Sequence, residues 1–85
     1  MHVKAHLISR GPVNEQQQLQ LRGVVEGLSS QPDHVLVYEH EGKEGGLIAE
    51  FGVVDEPQAL LLERLSRALF TAISGVEDVV IAFHE

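Results

Sequence analysis

The first residues of the chain alternate between apolar and polar side chains. Val3, Ala5 and Leu7 alternate with the polar residues His2, Lys4 and His6. A period of two is typical of a β-strand that buries one face. The pattern therefore predicts a first strand from Val3 to Ser9, interrupted by the Gly-Pro pair that follows it.

A helical period replaces the alternation further along the chain. From Leu21, apolar residues recur at i, i+3, i+4 and i+7, which is typical of a helix with one buried face. Asn14 precedes this stretch, and Gln17 follows Asn14 by three residues, as in a capping box. We therefore predict that the first helix begins after Asn14 and ends before the proline at position 32.

The rest of the chain repeats this order of elements. Strands are predicted over 34–40, 47–54 and 79–84, with a Gly-rich hairpin over 41–46. A second helix is predicted from Asp55, as its cap, to Ser74, with Gly75 in the left-handed position that commonly follows a helix.

The two halves of the sequence also resemble each other. Residues 28–38 return as 73–83, an offset of 45, and Pro12 and Pro57 are separated by the same interval. Two β-α-β units joined by a hairpin predict a β-α-β-β-α-β order in one domain over residues 1–85. This resembles the ferredoxin-like plait, an α+β architecture in which a four-stranded antiparallel sheet carries two helices on one face.

Composition and charge narrow the possible functions. The chain has 85 residues, 44% of them apolar, and no cysteine, which excludes disulfides, thiolate nucleophiles and cysteine-ligated metals. A formal net charge of −7 disfavours nucleic acid and anionic membranes as partners. No apolar run approaches the ~20 residues that span a bilayer, and the N-terminus lacks a secretory pattern. We therefore expect a cytoplasmic protein.

The side of the sheet away from the helices is unusually apolar in the predicted register. A sheet face exposed to water normally carries polar side chains, whereas a contiguous apolar face indicates an interface. We therefore expect a homodimer, or a complex with another protein, through this face. The predicted interface residues are Ile8, Leu36, Tyr38, Ile48, Val79, Ile81 and Phe83. The alternative is a shift of the last strand by one residue, which places Val79, Ile81 and Phe83 in the core and makes the apolar face smaller.

The same face has a polar centre, which leaves an enzymatic alternative open. His6 and Glu50 lie on the two predicted central strands, close enough to form an acid-base pair, and Tyr38 is a neighbouring hydrogen-bond donor. In a small cofactor-independent enzyme of the dimeric α/β-barrel kind, these residues would line a cavity between two sheets. Large apolar neighbours favour a filled interface instead, and therefore a non-catalytic interaction or ligand-binding module without a cofactor.

The loop after the first strand is a second candidate binding site. Arg10 and the free backbone N–H groups near Asn14 are suited to an anion. Through Gly11 and its position, the loop is similar to that of ACT-type regulatory domains. The resemblance implies small-molecule binding at a subunit interface.

Other activities of plait proteins need residues that this chain lacks. RNA-recognition motifs stack bases on aromatic residues of the central strands, and the corresponding open-face positions hold Lys4, His6, Ile48 and Glu50. Copper chaperones need a CxxC motif, and acylphosphatases an asparagine on the third strand. Five histidines suggest metal binding, on His2 and His6 or around His40 with Glu39, Glu41 and Glu44, but no metal-binding spacing occurs. No metal site is expected.

Overall fold

The computed structural model describes residues 1–43 and 45–84. Its regular elements are β1 (His2–Ser9), α1 (Glu15–Leu28), β2 (Leu36–Glu39), β3 (Leu47–Gly52), α2 (Gln58–Ala72) and β4 (Val76–His84), with one 3₁₀ turn over Pro32–His34 before β2. The helices have 14 and 15 residues. No helix in the described part of the chain is long and apolar enough to cross a membrane.

The four strands form one antiparallel sheet. Their spatial order is β2-β3-β1-β4, so β1 and β3 are central and β2 and β4 are edges. This α+β arrangement of four strands and two helices is compatible with the predicted plait.

Local sequence signals place the ends of the helices. Asn14 Oδ1 accepts a hydrogen bond from Gln17 N at 2.8 Å, and Gln17 Oε1 accepts one from Asn14 N at 3.2 Å, which completes the predicted capping box. Gly75 follows α2 with φ 75°, as predicted. Asp55 is not the cap of α2: it adopts φ 59° in the preceding turn, and Pro57 is the N-cap residue.

The hydrophobic core lies between the two helices and one face of the sheet. Leu21 and Val25 of α1 and Leu65 of α2 are fully buried against alternate residues of β1 and β3. The strand residues that share this cluster are Val3, Ala5, Leu7, Leu47, Ala49 and Phe51. Period-two alternation therefore predicted the buried face of both central strands.

The orientation of β4 on which the apolar interface was predicted is wrong, and the alternative orientation is the one observed. Val79, Ile81 and Phe83 pair with Leu7, Ala5 and Val3 of β1 and pack against the core, so they face the helices. Directly paired residues of antiparallel strands point to the same face. The open face therefore receives Asp78, Val80, Ala82 and His84 from β4. Because residues 79–83 are all apolar, alternation does not distinguish the two faces of this strand.

Candidate functional site

The open face of the sheet carries a mixture of polar and apolar side chains. Leu36, Tyr38 and Val80 are exposed by 59%, 41% and 53%, whereas Ile48 is only 4% exposed although it lies outside the core cluster. Ile48 pairs with Tyr38 on one side and with His6 of β1 on the other. The apolar patch is therefore smaller than the sequence predicted, because the three large residues of β4 face the helices.

Glu50 lies at the centre of a hydrogen-bonded group on this face. The Tyr38 hydroxyl donates to Glu50 Oε2 at 2.5 Å, and His2 Nε2 lies 2.9 Å from Glu50 Oε1. Lys4 is directly opposite Glu50 in the pairing of β1 with β3. We call Tyr38, Glu50 and His2 the carboxylate triad. Its carboxylate is 24% exposed and its imidazole 48%.

The hydrogen bonds of the triad shift two pKa values in opposite directions. The bonds from Tyr38 and then His2 lower the pKa of Glu50 below its ordinary 4.5, because both stabilise the carboxylate. The bond to Glu50 raises the pKa of Tyr38 above 10.0, since ionisation would lose it and place two negative charges together. At neutral pH the carboxylate stays ionised and the phenol stays protonated.

His6 does not join this group. Its Nε2 lies 2.8 Å from the Gly45 carbonyl oxygen, and its ring is 4.4 Å from the ring of His40, centroid to centroid. The expected His6–Glu50 pair is therefore not formed, whereas Glu50 and Tyr38 do meet. His2 takes the place expected for His6. Lys4 of β1 is directly opposite Glu50, so His2 and His6, two residues to either side of Lys4, are both diagonal neighbours of Glu50.

Histidines are concentrated on the open face. His2, His6, His40 and His84 lie there, and the His2 and His84 rings are 6.4 Å apart. Within residues 1–43 and 45–84, no three His, Asp or Glu side chains are grouped so that they could hold a metal ion. Glu44, which the sequence placed beside His40, lies outside the described residues.

The loop between β1 and α1 is occupied by structural hydrogen bonds. Asn14 uses its side chain to cap α1, and Arg10 N donates to the Gly75 carbonyl oxygen at 2.9 Å. Gly11 is exposed, with open space where a Cβ would be. Gln17, which is 4% exposed, donates to Ser74 O at 2.9 Å and so ties this loop to the end of α2. These contacts show that the loop connects β1, the start of α1 and the end of α2.

A groove of about 560 Å³ lies on the helix side, away from the open face. Leu28, Leu60 and Ala68 form part of its lining, together with Arg64 and Arg67. Arg67 pairs with Glu63 at 2.8 Å and Arg64 pairs with Glu56. Because both guanidinium groups already have carboxylate partners, the groove presents little unpaired charge to a ligand.

Replacement of Glu50 tests the carboxylate triad. In Glu50→Gln we expect the pKa of Tyr38 to fall toward 10.0, because the main cause of its rise is removed. Tyr38 is the one tyrosine of a chain without tryptophan, so the ultraviolet absorbance of the phenolate reports it alone. Glu26→Gln on α1 makes the same change of charge and should leave the titration as in the wild type. An unchanged Tyr38 titration in Glu50→Gln would contradict the triad.

The triad also has a pH dependence with a definite sign. The lowered pKa of Glu50 stabilises the fold above pH 4.5, and this contribution is lost as the pH falls through the folded-state value. The raised pKa of Tyr38 stabilises it below pH 10.0, and this is lost as the pH rises through the folded-state value. The stability difference between wild type and Glu50→Gln should therefore be greatest between these limits.

Comparisons of the chain with protein-family models, with curated proteins and with solved structures find no match. The geometry of the open face is therefore the basis for a proposed function.

Proposed function

We propose that this chain is a non-catalytic interaction module with the architecture of a ferredoxin-like plait, and that it self-associates through its open sheet face. The observation that carries the proposal is that no described element covers this face, although Leu36, Tyr38 and Val80 are exposed on it. Leu36 and Tyr38 are on β2, and Val80 is on β4 at the opposite edge, with polar residues of the central strands between them. An uncovered sheet face with exposed apolar groups is a candidate protein interface.

The charge distribution supports contact between two copies. The chain has 13 acidic residues and a net charge of −7, which opposes self-association in general. Among the strand residues that the pairing places on the open face, Glu50 and Asp78 are acidic, and Lys4 opposes Glu50. The open face is therefore the part of the sheet where a second acidic copy meets little repulsion.

The hydrogen bonding of the open face also supports its burial. An ionised carboxylate is costly to bury unless its oxygens have partners. Glu50 has a partner for each oxygen, Tyr38 and His2. A second copy can therefore cover the carboxylate triad without leaving an unpaired acceptor at its centre.

The apolar area by itself predicts only a weak association. Completing the burial of Leu36, Tyr38 and Val80 contributes about 1 kcal/mol for each side chain. Two copies together gain about 6 kcal/mol, of the same order as the roughly 4 to 15 kcal/mol that association costs. We therefore expect this contact alone to populate a dimer only at high concentration.

The pKa shifts favour this function over the enzymatic alternative. A general acid or base works best when its pKa lies near the operating pH. The pKa of Glu50 is lowered and that of Tyr38 is raised, so both move away from neutrality. His6, the base in the enzymatic alternative, is bonded to a backbone carbonyl and not to Glu50. These observations give acid-base catalysis no support.

Leu36→Lys tests the proposed contact. Leu36 is on β2, at the open face, and Leu19 on α1 is similarly exposed, by 64%. We expect Leu36→Lys to weaken self-association at least about tenfold, the equivalent of 1.4 kcal/mol, and Leu19→Lys to leave it unchanged. Sedimentation equilibrium measures the association constant of each variant, and thermal unfolding checks that both variants fold. Equal effects of the two substitutions would contradict an open-face contact.

A further inference from the structure

The two edges of the sheet differ in length and protection. β2 has four residues, Leu36–Glu39, and follows a 3₁₀ turn. β4 has nine residues, Val76–His84, and contains neither proline nor lysine. Proteins usually protect an edge by shortness, by lysine or proline, or by a bulge. β4 has one irregularity, where Glu77 has no partner on β1, and its register with β1 is then continuous from Asp78 to His84. No described residue pairs with its outer side.

The helix above β4 also exposes apolar side chains. Leu62 and Phe70 of α2 are exposed by 43% and 51%. The helical period places them on the flank of α2 opposite Ala68, which lies beside Leu28 of α1 in the groove. Because α2 packs over β4 whereas α1 packs over β2 and β3, this flank overhangs the outer edge of β4.

We propose that β4 pairs with β4 of a second copy of this chain, antiparallel, about a two-fold axis at Ile81. This edge contact is separate from the open-face contact and does not depend on it. It joins two four-stranded sheets into one sheet of eight strands, and it brings Leu62 and Phe70 of the two copies toward each other. A two-fold contact needs a surface that complements itself.

The register about Ile81 provides this complementarity on both faces. On the helix side, Val79 is opposite Phe83 of the second copy, and Ile81 is opposite itself. On the open side, Asp78 is opposite His84 of the second copy. The carboxylate of Asp78 now accepts a hydrogen bond from Val79 N at 2.9 Å, and in the pair it would exchange this bond for a histidine. Polar cross-strand pairs of this kind stabilise strand pairing.

A shift of the axis by one residue removes this match. An axis at Val80 places Asp78 opposite Ala82 and Glu77 opposite Phe83. Neither carboxylate then has a histidine directly opposite. The pairing of Asp78 with His84 therefore favours the axis at Ile81.

Single cysteines test the edge contact directly, because the natural chain has none. Residues opposite each other on antiparallel strands have Cα atoms about 4.5 to 5.5 Å apart, within the roughly 4.4 to 6.8 Å that disulfides span. Under mild oxidation we expect Ile81→Cys to form a covalent dimer, and Val79→Cys alone to form little. An equimolar mixture of Val79→Cys and Phe83→Cys should form the mixed dimer.

The controls separate this contact from the open-face contact. Adding Leu36→Lys to Ile81→Cys should leave the crosslink intact, because Leu36 is at the opposite edge of the sheet. A folded Ile81→Cys protein that remains monomeric would overturn the proposal. So would Val79→Cys crosslinking to itself as readily as Ile81→Cys.

A charge exchange tests the contact if Ile81→Cys does not fold. Asp78→Lys places a lysine opposite His84 and should weaken self-association several-fold. The double variant Asp78→Lys with His84→Glu reverses the pair and should restore it. A double variant that associates no better than Asp78→Lys alone would overturn the register.

Discussion

Gly46→Ala is expected to lower the free energy of unfolding by about 3 kcal/mol or more, whereas Gly45→Ala should cost only about 1 to 2 kcal/mol. Both glycines have positive φ, 91° and 64°. A Cβ at Gly46 would lie 2.1 Å from the Leu7 carbonyl oxygen, but one at Gly45 has nothing within 4 Å. The difference between the two variants therefore isolates the close approach of this turn to β1.

Thermal unfolding followed by circular dichroism measures the difference. For a domain of this size, 1 kcal/mol corresponds to roughly 4 to 8 °C in Tm, so Gly46→Ala should melt at least about 12 °C below the wild type. Equal losses at Gly45 and Gly46 would contradict the described turn. The result bears on the open face, because the same turn holds His6 through the Gly45 carbonyl.

Leu65→Ala is expected to destabilise the protein by about 3 to 4 kcal/mol. Leu65 is fully buried in the middle of α2, between Leu61 and Leu69, and its removal leaves a cavity between the helix and the sheet. Leu60 on the same helix is 49% exposed. Leu60→Ala should therefore cost less than about 1 kcal/mol.

Denaturant unfolding measures the free energy of unfolding of both variants. The comparison is matched, because both substitutions replace a leucine of α2 by alanine. A Leu65→Ala protein as stable as Leu60→Ala would contradict the placement of α2 on the sheet. The placement of α2 also determines which side of the sheet is open. A large loss of stability in Leu65→Ala therefore supports the proposed interface, and its absence would remove the structural basis for it.

The sequence was sufficient to predict those features for which the residue pattern is compatible with a single local structure. Asn14 and Gln17 form the predicted capping box, and β1 and β3 bury the predicted face. β4 was the exception, because alternation carries information only when polar and apolar residues differ, and 79–83 are uniformly apolar. An irregularity in register beside Ile8 and Ser9 adds a local shift that no sequence signal marks.

The carboxylate triad shows a second limit of sequence reasoning. His2 and His6 are on the same face of β1, two residues to either side of Lys4, and Lys4 opposes Glu50. The two imidazoles are therefore equivalent neighbours of the carboxylate in the sequence pattern. The conformation of the 45–46 turn decides between them, because the Gly45 carbonyl takes the His6 ring.

The open-face and edge contacts together suggest a closed assembly. The proposed face-to-face packing and the proposed β4 pairing would each relate two copies by a two-fold axis, and perpendicular two-fold axes generate a tetramer. The open-face contact alone buries a modest apolar area. We therefore expect the edge contact to help keep the assembly together at low concentration.

Sedimentation equilibrium of the wild-type chain over a wide range of concentration tests the central claim most directly. The monomer mass is 9.3 kDa, so each added copy is well resolved. We predict a mass that rises with concentration to that of a dimer or of a closed tetramer. A mass that stays at 9.3 kDa at the highest concentrations would contradict self-association through either surface.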